Sequence, residues 1–192
     1  SMRDKTRRER YNEKKRNAKV FPISLVCVNF QCDGNLGYLI RAAACFGAEY
    51  VHIIGSVPAR SAIDSLSGSL YDYVKIKKHN SPVDFLNYSR DNKIRLVSAE
   101  ICKDSKPITG HRFNFDSHVA LVVGNEQIGV PIEILQNSEV VYIPMPGIGY
   151  CLNTSQAANI MLYEATKQYQ TFLKHFEKTE INWDEQGMYN LP

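Results

Sequence analysis

Three stretches rich in glycine and amide side chains hold the residues whose types and spacing could support chemistry. The first spans residues 35–41, where Asn35 and Arg41 flank an apolar segment with helical spacing. The two residues are under two helical turns apart, so both can border one cleft. An arginine in an otherwise apolar helix is costly unless it meets an anion or a carboxylate. This stretch alone leaves two interpretations of Arg41 open: a ligand-binding residue, or the partner of a structural carboxylate.

The second and third stretches each follow an apolar run that predicts a strand. Residues 121–131 contain Gly124 and Gly129, whose missing side chains allow a ligand to approach the backbone closely. Residues 143–159 combine a proline-stiffened segment, a glycine-rich loop and an Asn/Thr/Ser helix start, which suits a flat, polar ligand. The alternatives are an ordinary strand-to-helix loop in the second stretch and a long surface connection in the third.

Alternating strands and helices must position these stretches. Apolar runs predict strands over residues 23–29, 50–54, 74–77, 95–99, 119–123 and 140–143. Helical spacing predicts helices over residues 36–46, 82–92, 131–135 and 153–176. A polar loop is expected over residues 103–115. This order predicts an α/β fold with a mostly parallel sheet and helices on both faces. In such sheets ligands bind at the carboxyl ends of strands, and all three stretches follow strands.

The composition is typical of a single globular domain. The chain has 44% hydrophobic and 22% charged residues, which is ordinary and enough to bury a core. No apolar run has the roughly 18 residues that a membrane span needs. The five cysteines are widely spaced without a CxxC pair, and the five histidines are scattered. We therefore predict neither a disulfide framework nor a metal site, and we expect a reducing, cytoplasmic location.

The positive charge is concentrated at the start of the chain. Residues 3–19 hold nine lysines and arginines against three acidic residues, while the whole chain has a net charge of +3. We therefore expect a basic arm over residues 1–20, and we expect an acidic tail over residues 177–192. A basic arm favours a polyanionic partner such as RNA, although a solvated, helix-prone tail fits the charges equally well. The candidate RNA-binding residues are Arg7, Arg8, Arg10, Lys14, Lys15 and Arg16.

The order and spacing of the three stretches resemble the motifs of the SpoU-type RNA methyltransferases of the SPOUT superfamily. The resemblance runs from about residue 22 to residue 168, nearly the whole globular part. The first motif is similar to Asn35-x-Gly37-x-x-x-Arg41 with Phe46-Gly47 after it. The second is similar to Gly124-Asn125-Glu126-x-x-Gly129. The third is similar to Ile143-Pro144-Met145 followed by Leu152-Asn153-x-Ser155-x-Ala157 and Tyr163-Glu164.

The resemblance implies a fold, a reaction and a set of site residues. It implies a methyltransferase domain over residues 21–176 that has a C-terminal deep trefoil knot and works as a homodimer. The implied reaction transfers a methyl group from S-adenosylmethionine to a ribose 2′-hydroxyl of tRNA or rRNA. Arg41 is the implied central catalytic residue, and Asn35, Glu126 and Asn153 arrange it. The implied cofactor-binding residues are Gly124, Ile143, Met145 and Leu152.

The resemblance leaves two alternatives each for the role of Arg41 and for the place of the last predicted helix. Because an arginine side chain stays protonated in proteins, it is a poor base by itself. Arg41 is therefore either a proton acceptor assisted by a nearby phosphate or a clamp on that phosphate. The helix predicted over residues 153–176 is either part of a subunit interface or buried within one subunit.

Two positions depart from the family pattern. Cys151 stands where the family usually has serine, and a thiol is a weaker hydrogen-bond partner than a hydroxyl. Gln127 stands where glycine is common, which predicts an altered backbone in that loop. Two alternatives to an RNA 2′-O-methyltransferase therefore remain. One is a non-catalytic RNA-binding protein that keeps the fold, and the other is a methyltransferase that acts on another acceptor, such as a base nitrogen.

Overall fold

The computed structural model describes residues 4–28 and 34–173. Within them the strands are β1 (Phe21–Val28), β2 (Ala48–Ile54), β3 (Lys75–His79), β4 (Arg95–Ala99), β5 (Lys106–Pro107), β6 (Val119–Gly124) and β7 (Glu139–Tyr142). They form one sheet in the order β3-β2-β1-β6-β4-β7-β5, and each neighbouring pair is parallel. The predicted α/β fold with a parallel sheet is confirmed.

Helices cover both faces of this sheet. The described α-helices are α1 (Arg7–Lys15), α2 (Gly34–Cys45), α3 (Arg60–Asp64), α4 (Pro82–Asp91), α5 (Ile132–Leu135) and α6 (Thr154–Phe172). On one face, α2 and α6 bury Leu39 and Met161 in the larger core cluster. On the other face, α4 and α5 bury Phe85 and Ile134 in a second cluster. The predicted placement of helices on both faces is therefore confirmed as well.

Strands β1 and β6 lie in the interior of the sheet because both of their faces are apolar. In β1, Ile23 and Leu25 belong to the core cluster under α2 and α6, whereas Val26 belongs to the cluster under α4 and α5. This alternation follows from the two-residue period of a strand, and a continuous apolar run is typical of a parallel strand that is covered on both faces. In the register, Leu25 pairs with Val51 of β2 and with Leu121 of β6.

The prediction of a polar loop over residues 103–115 was wrong in part. This segment contains β5, which pairs with β7 at the edge of the sheet, and a 3₁₀ turn over Ile108–Gly110. A strand of two residues shows no periodicity in the sequence, so only its pairing partner reveals it. Strand β7 ends at Tyr142, and Ile143 therefore begins the following connection instead of ending the strand.

Some predictions fall outside the described residues. Asn29 at the end of the first predicted strand, residues 174–176 of the last predicted helix, and the predicted acidic tail all lie there. The trefoil knot and the division into arm, domain and tail stay predictions.

The segment predicted as a basic arm contains helix α1. Its first turn has a capping box, in which the Glu9 N–H donates to the Thr6 hydroxyl at 3.3 Å and the Thr6 N–H donates to the Glu9 carboxylate at 2.6 Å. Lys14 and Lys15 lie in the last turn, where positive charge is favourable to the helix dipole. Local sequence signals therefore account for this helix.

Two properties of the described part of the chain bear on the class of protein. None of its helices is long and apolar enough to cross a membrane. None of its groups of His, Cys, Asp or Glu side chains could hold a metal ion with three or more ligands. Cys27, Cys45, Cys102 and Cys151 are free thiols, and Cys32 lies outside the described residues.

Candidate active site

The three chemically suggestive stretches meet at the carboxyl ends of the parallel strands. The first opens α2 after β1, and the second follows β6, which pairs with β1. The third follows β7 and leads into α6, which packs against α2. Because parallel strands end at the same edge of a sheet, segments far apart in the sequence come together here.

Asn153 is the hub of a hydrogen-bond network that joins these stretches. Its side-chain amide donates to Asn35 Oδ1 at 3.2 Å and to Glu126 Oε1 at 3.0 Å. Its Oδ1 accepts the Ser155 N–H at 2.9 Å and so caps the start of α6. The same oxygen accepts the Ser155 hydroxyl at 2.5 Å. The helix cap thus fixes the side chain that connects the other two stretches.

Thr154 strengthens this network, and the sequence argument did not single it out. Its N–H donates to Glu126 Oε1 at 3.4 Å, and its hydroxyl donates to the Gly124 carbonyl at 3.3 Å. Thr154 is the first residue of α6, where backbone N–H groups have no partner within the helix. That position was the only signal in the sequence, and it did not identify the partner.

The loop from Gly124 to Gly129 is tight, which explains its two glycines. A Cβ added to Gly124 would collide with the carbonyl group of Gly129, and Gly129 itself has a φ of +72°. The Asn125 side chain accepts the N–H groups of Gln127 at 3.0 Å and Ile128 at 2.6 Å. Gln127 is not among the non-glycine residues with positive φ, so this backbone does not require glycine there.

Arg41 lies at an exposed position of α2 and lines a cleft of ≈ 700 Å³. Within residues 4–28 and 34–173, no carboxylate forms an ion pair with it and no hydrogen bond to its side chain is present. The interpretation of Arg41 as the partner of a structural carboxylate therefore finds no support among these residues. The cleft is lined by Asn35, Tyr38, Arg41, Ala42, Cys45, Phe46, Asn153, Ser155, Gln156 and Asn159.

The four predicted cofactor-binding residues lie near the same edge of the sheet. Gly124 ends β6, Ile143 directly follows β7, and Met145 and Leu152 lie in the connection to α6. Among the described residues, no backbone-to-backbone hydrogen bond involves residues 144–152. Apart from the Leu152 carbonyl, which accepts the Cys151 thiol at 3.6 Å, these backbone groups have no hydrogen-bond partner among the described residues, so they could bind a polar ligand such as an adenine ring or an amino-acid group.

Glu100 is a second residue that the sequence argument missed. Its Oε2 accepts the Val130 N–H at 3.2 Å and would lie 2.6 Å from a Cβ on Gly129. Its Oε1 accepts the Ile101 N–H at 3.1 Å. Glu100 directly follows β4, so its place at the carboxyl end of a strand was the one available signal. Through these contacts it anchors the far end of the loop that carries Glu126.

Cys151 does not take part in the network of Asn153. Its side chain is exposed, and its thiol donates to the Leu152 carbonyl at 3.6 Å, which is a weak contact. It is also absent from the lining of the cleft. The contacts of Asn35, Glu126 and Asn153 therefore form without a serine at this position.

The six candidate RNA-binding residues lie on α1 and at its C-terminal cap, away from the lining of the cleft. Arg8 lies 3.8 Å from Asp72, and Lys15 lies over the ring of Tyr73. The structure thus brings Asn35, Arg41, Glu126 and Asn153 together and keeps the basic residues on a neighbouring surface. The remaining predicted residues are Arg7, Arg10, Lys14 and Arg16.

Comparisons with known proteins agree with the motifs. Residues 22–163 match the family described as the SpoU rRNA Methylase family. A tRNA (guanosine(18)-2′-O)-methyltransferase of Aquifex aeolicus is 26% identical over 166 residues, covering 85% of this chain and 71% of that protein. The 23S rRNA (guanosine-2′-O-)-methyltransferase of Acinetobacter baylyi is 42% identical over 138 residues, covering 70% of this chain and 55% of that protein. This chain thus spans about half the length of the Acinetobacter protein.

Solved structures share the fold. A tRNA modifying enzyme of A. aeolicus superposes with a TM-score of 0.74 at 23% identity, over 93% of this chain and 92% of that chain. An AdoMet-bound rRNA methyltransferase from Sinorhizobium meliloti superposes with a TM-score of 0.69 at 25% identity, over 78% of this chain and 57% of that chain. Because the identity to the A. aeolicus enzyme is only 23%, that superposition shows a shared fold and nothing more.

Proposed function

This chain belongs to the SpoU rRNA Methylase family, and we propose that it transfers a methyl group from S-adenosylmethionine to a ribose 2′-hydroxyl of tRNA or rRNA. Relatives that are a tRNA and a 23S rRNA guanosine 2′-O-methyltransferase support the reaction. The AdoMet-bound neighbour supports the cofactor. The deep trefoil knot and the cytoplasmic location belong to the same proposal.

One observation carries this proposal: Asn153 joins Asn35 and Glu126 by hydrogen bonds on the rim of the cleft that Arg41 lines. A side chain held by several hydrogen bonds is oriented before the substrate arrives, which is what catalysis by positioning needs. A non-catalytic RNA-binding protein would have no need of this arrangement. The network therefore favours an active enzyme over that alternative.

The residues after β6 and β7 fit the cofactor. Gly124, Ile143, Met145 and Leu152 would hold it through backbone groups and apolar contacts, next to residues 144–152, whose backbone forms no backbone-to-backbone hydrogen bond with the described part of the chain. When bound, the cofactor supplies a methyl group on a positively charged sulfur. The chain itself has to orient the ribose hydroxyl and to assist the loss of its proton.

Arg41 has the side chain suited to that second task. A ribose 2′-hydroxyl in RNA lies beside a phosphate, and a guanidinium can bind a phosphate through two parallel hydrogen bonds. Arg41 would either clamp this phosphate or, with the phosphate's help, accept the hydroxyl proton. In both roles the forked shape of the guanidinium matters as well as its charge.

We also propose that the chain forms a homodimer through the face that carries α2 and α6. Met161 and Leu162 of α6 are buried within the subunit, but Tyr163 is 60% exposed, Ile160 39% and Tyr38 46%. These apolar side chains lie on α2 and α6, and Tyr38 lines the cleft. A second copy that covers them would bring its own residues close to the cleft.

The oligomeric state tests this interface. Replacing Ile160 and Tyr163 by Asp is expected to convert a dimer to a monomer in sedimentation velocity. The matched control is Val83→Asp on α4, which is also an exposed apolar position but lies on the opposite face of the sheet. A wild-type monomer, or a dimer that survives the double substitution, would contradict the proposed interface.

The central experiment measures methyl transfer from labelled cofactor to tRNA and to rRNA that lack the modification. Digestion followed by mass spectrometry then identifies the methylated atom, because 2′-O-methylation blocks alkaline cleavage at that linkage. We expect label on a ribose 2′-oxygen in one RNA class. Label on a base nitrogen would favour the alternative acceptor, and no transfer to either RNA class would favour the non-catalytic protein.

The role of α1 in RNA binding is tested by neutralising Lys14 and Arg16 with Gln. Affinity for RNA falls as salt rises, and each lost phosphate contact should make the slope of log affinity against log salt shallower by about 0.7–0.9. Cofactor affinity should stay the same. The matched control is the exposed pair Lys103 and Lys106, near the opposite edge of the sheet. Equal slopes in both double variants and the wild type would rule out this role.

A further inference from the structure

Helix α1 is anchored to the body of the protein by two tyrosine hydroxyls. Tyr11 donates its hydroxyl proton to the carbonyl oxygen of Gly68 at 3.0 Å. Tyr73 donates its own to Asn12 Oδ1 at 2.7 Å, and the rings of Tyr11 and Tyr73 pack edge to face at 5.5 Å. These two hydroxyl bonds join the basic helix to the body beside the contacts of Arg8 with Asp72 and of Lys15 with the Tyr73 ring.

Gly68 also lies close to the Arg41 side chain. A Cβ placed on this buried glycine would lie 3.6 Å from Cδ, Nε and Cζ of the Arg41 side chain. The side of Gly68 on which a Cβ would stand therefore faces the Arg41 side chain. Tyr11 binds the carbonyl of the same residue, so one glycine connects α1 to Arg41.

The turn that contains Gly68 has an unusual backbone and is packed closely on α2. Gly68 has a φ of +63°, and Ser69 after it has a φ of +64°, a region that residues with side chains rarely adopt. A Cβ on Gly37 of α2 would lie 2.8 Å from Leu66 Cβ, so the helix and this segment are in close contact. A turn in this conformation depends on contacts from its surroundings, and Tyr11 supplies one of them.

We propose that Tyr11 is a positioning residue for Arg41, which acts by holding the Gly68 turn against the arginine side chain. This inference rests on the proposed function, because it assigns Tyr11 to the same reaction. An exposed arginine samples many side-chain conformations, and a fixed surface beneath it reduces their number. Because α1 also carries the candidate RNA-binding residues, RNA bound on the helix and the orientation of Arg41 are linked through one hydrogen bond.

The test compares two variants that each remove one tyrosine hydroxyl from the anchor of α1. Tyr11→Phe removes the bond to Gly68, and Tyr73→Phe removes the bond to Asn12 while leaving Gly68 untouched. Three quantities are measured: the single-turnover rate of methyl transfer at saturating RNA and cofactor, the RNA dissociation constant from filter binding, and the melting temperature. The wild-type chain is the reference for all three.

We expect Tyr11→Phe to slow the single-turnover rate about three- to ten-fold, the range for loss of one neutral hydrogen bond. Its RNA affinity should match that of Tyr73→Phe, which keeps the wild-type rate. The inference is overturned if Tyr11→Phe keeps the wild-type rate, if both variants lose rate equally, or if Tyr11→Phe changes RNA affinity alone. A wild-type chain that methylates no RNA would instead remove the proposed function, and this inference would fall with it.

Discussion

Polar side chains cluster in two regions of this protein, and the surroundings of the two clusters are opposite. In the cleft, Asn153, Glu126 and Arg41 are exposed to solvent. Under α4, His52 is fully buried, and its Nδ1 lies 3.0 Å from Nε2 of His79. The Nε2 atom of His52 is also buried and has no hydrogen-bond partner among the described atoms. The first cluster is open to solvent, whereas the second is enclosed by aromatic rings.

The difference indicates which property each cluster controls. Exposed polar groups keep their hydration, so their replacement should change the free energy of unfolding little and activity much. A buried histidine loses its hydration, and burial together with the neighbouring His79 lowers the pKa of His52 to about 3. We therefore expect catalysis to depend on the cleft, and the loss of stability in acid to depend on the histidine cluster.

The strongest test of this separation is Arg41→Lys. The substitution keeps the positive charge but removes the fork, and we expect the rate of methyl transfer to fall by about 100-fold or more. The free energy of unfolding should stay within ~0.5 kcal/mol of the wild type, because Arg41 is exposed. Full turnover would exclude both proposed roles of Arg41. A large loss of stability would contradict the expectation that residues of the cleft control activity and not the free energy of unfolding.

Acid sensitivity tests the other region. In the unfolded chain His52 takes up a proton near its ordinary pKa of 6.5, whereas in the folded protein its pKa is about 3. The stability that neutral His52 contributes is therefore complete above pH 6.5 and is lost as the pH falls toward 3. We expect the free energy of unfolding to decrease by about 2 kcal/mol between pH 7 and pH 5, measured by urea titration.

The control for the acid effect is His52→Phe, which removes the titrating group and keeps a ring among Tyr50, Phe85 and Tyr88. Its free energy of unfolding should depend less on pH over the same interval. If the variant and the wild type show the same dependence, other groups are responsible. His79 and His118 are the next candidates, because burial lowers the pKa of each.

A smaller effect in the cleft is expected from Glu126→Gln. Glu126 accepts from the Asn153 side chain at 3.0 Å and from the Thr154 N–H at 3.4 Å, and it lies beside the start of α6. Loss of its charge should weaken both bonds and lower the rate about 10-fold, with less than ~1 kcal/mol lost in unfolding. An unchanged rate with a normal melting temperature would show that Asn153 does not need this carboxylate.

The smallest effect is expected from Cys151→Ser, which restores the residue usual in the family. Cys151 is exposed and bonds weakly to the Leu152 carbonyl, so a hydroxyl adds little to the network of Asn153. We predict a change in rate of less than about three-fold and no change in melting temperature. A rise of ten-fold or more would mean that the Cys151 thiol limits the rate of methyl transfer.

Much of the site could be predicted because its residues stand in recognisable local patterns. Asn35 and Arg41 share one helix, and Gly124 and Glu126 follow an apolar strand. The contact of Thr154 with Glu126 had no such pattern, since it joins the start of α6 to a loop that meets it only after folding. Glu100 was missed for the same reason, because its partner Val130 lies in a different loop.

By itself the sequence determined the α/β class, most of the strands and the family whose motifs the chain carries. These could be read from the sequence because hydrophobic periodicity and glycine spacing are local properties of the chain. Only the tertiary structure decided that β5 pairs with β7 at the edge of the sheet, that Glu100 anchors the loop that carries Glu126, and that Tyr11 reaches Gly68 close to Arg41. These are contacts between distant segments, and their geometry depends on how the helices pack on the sheet, which no local pattern encodes.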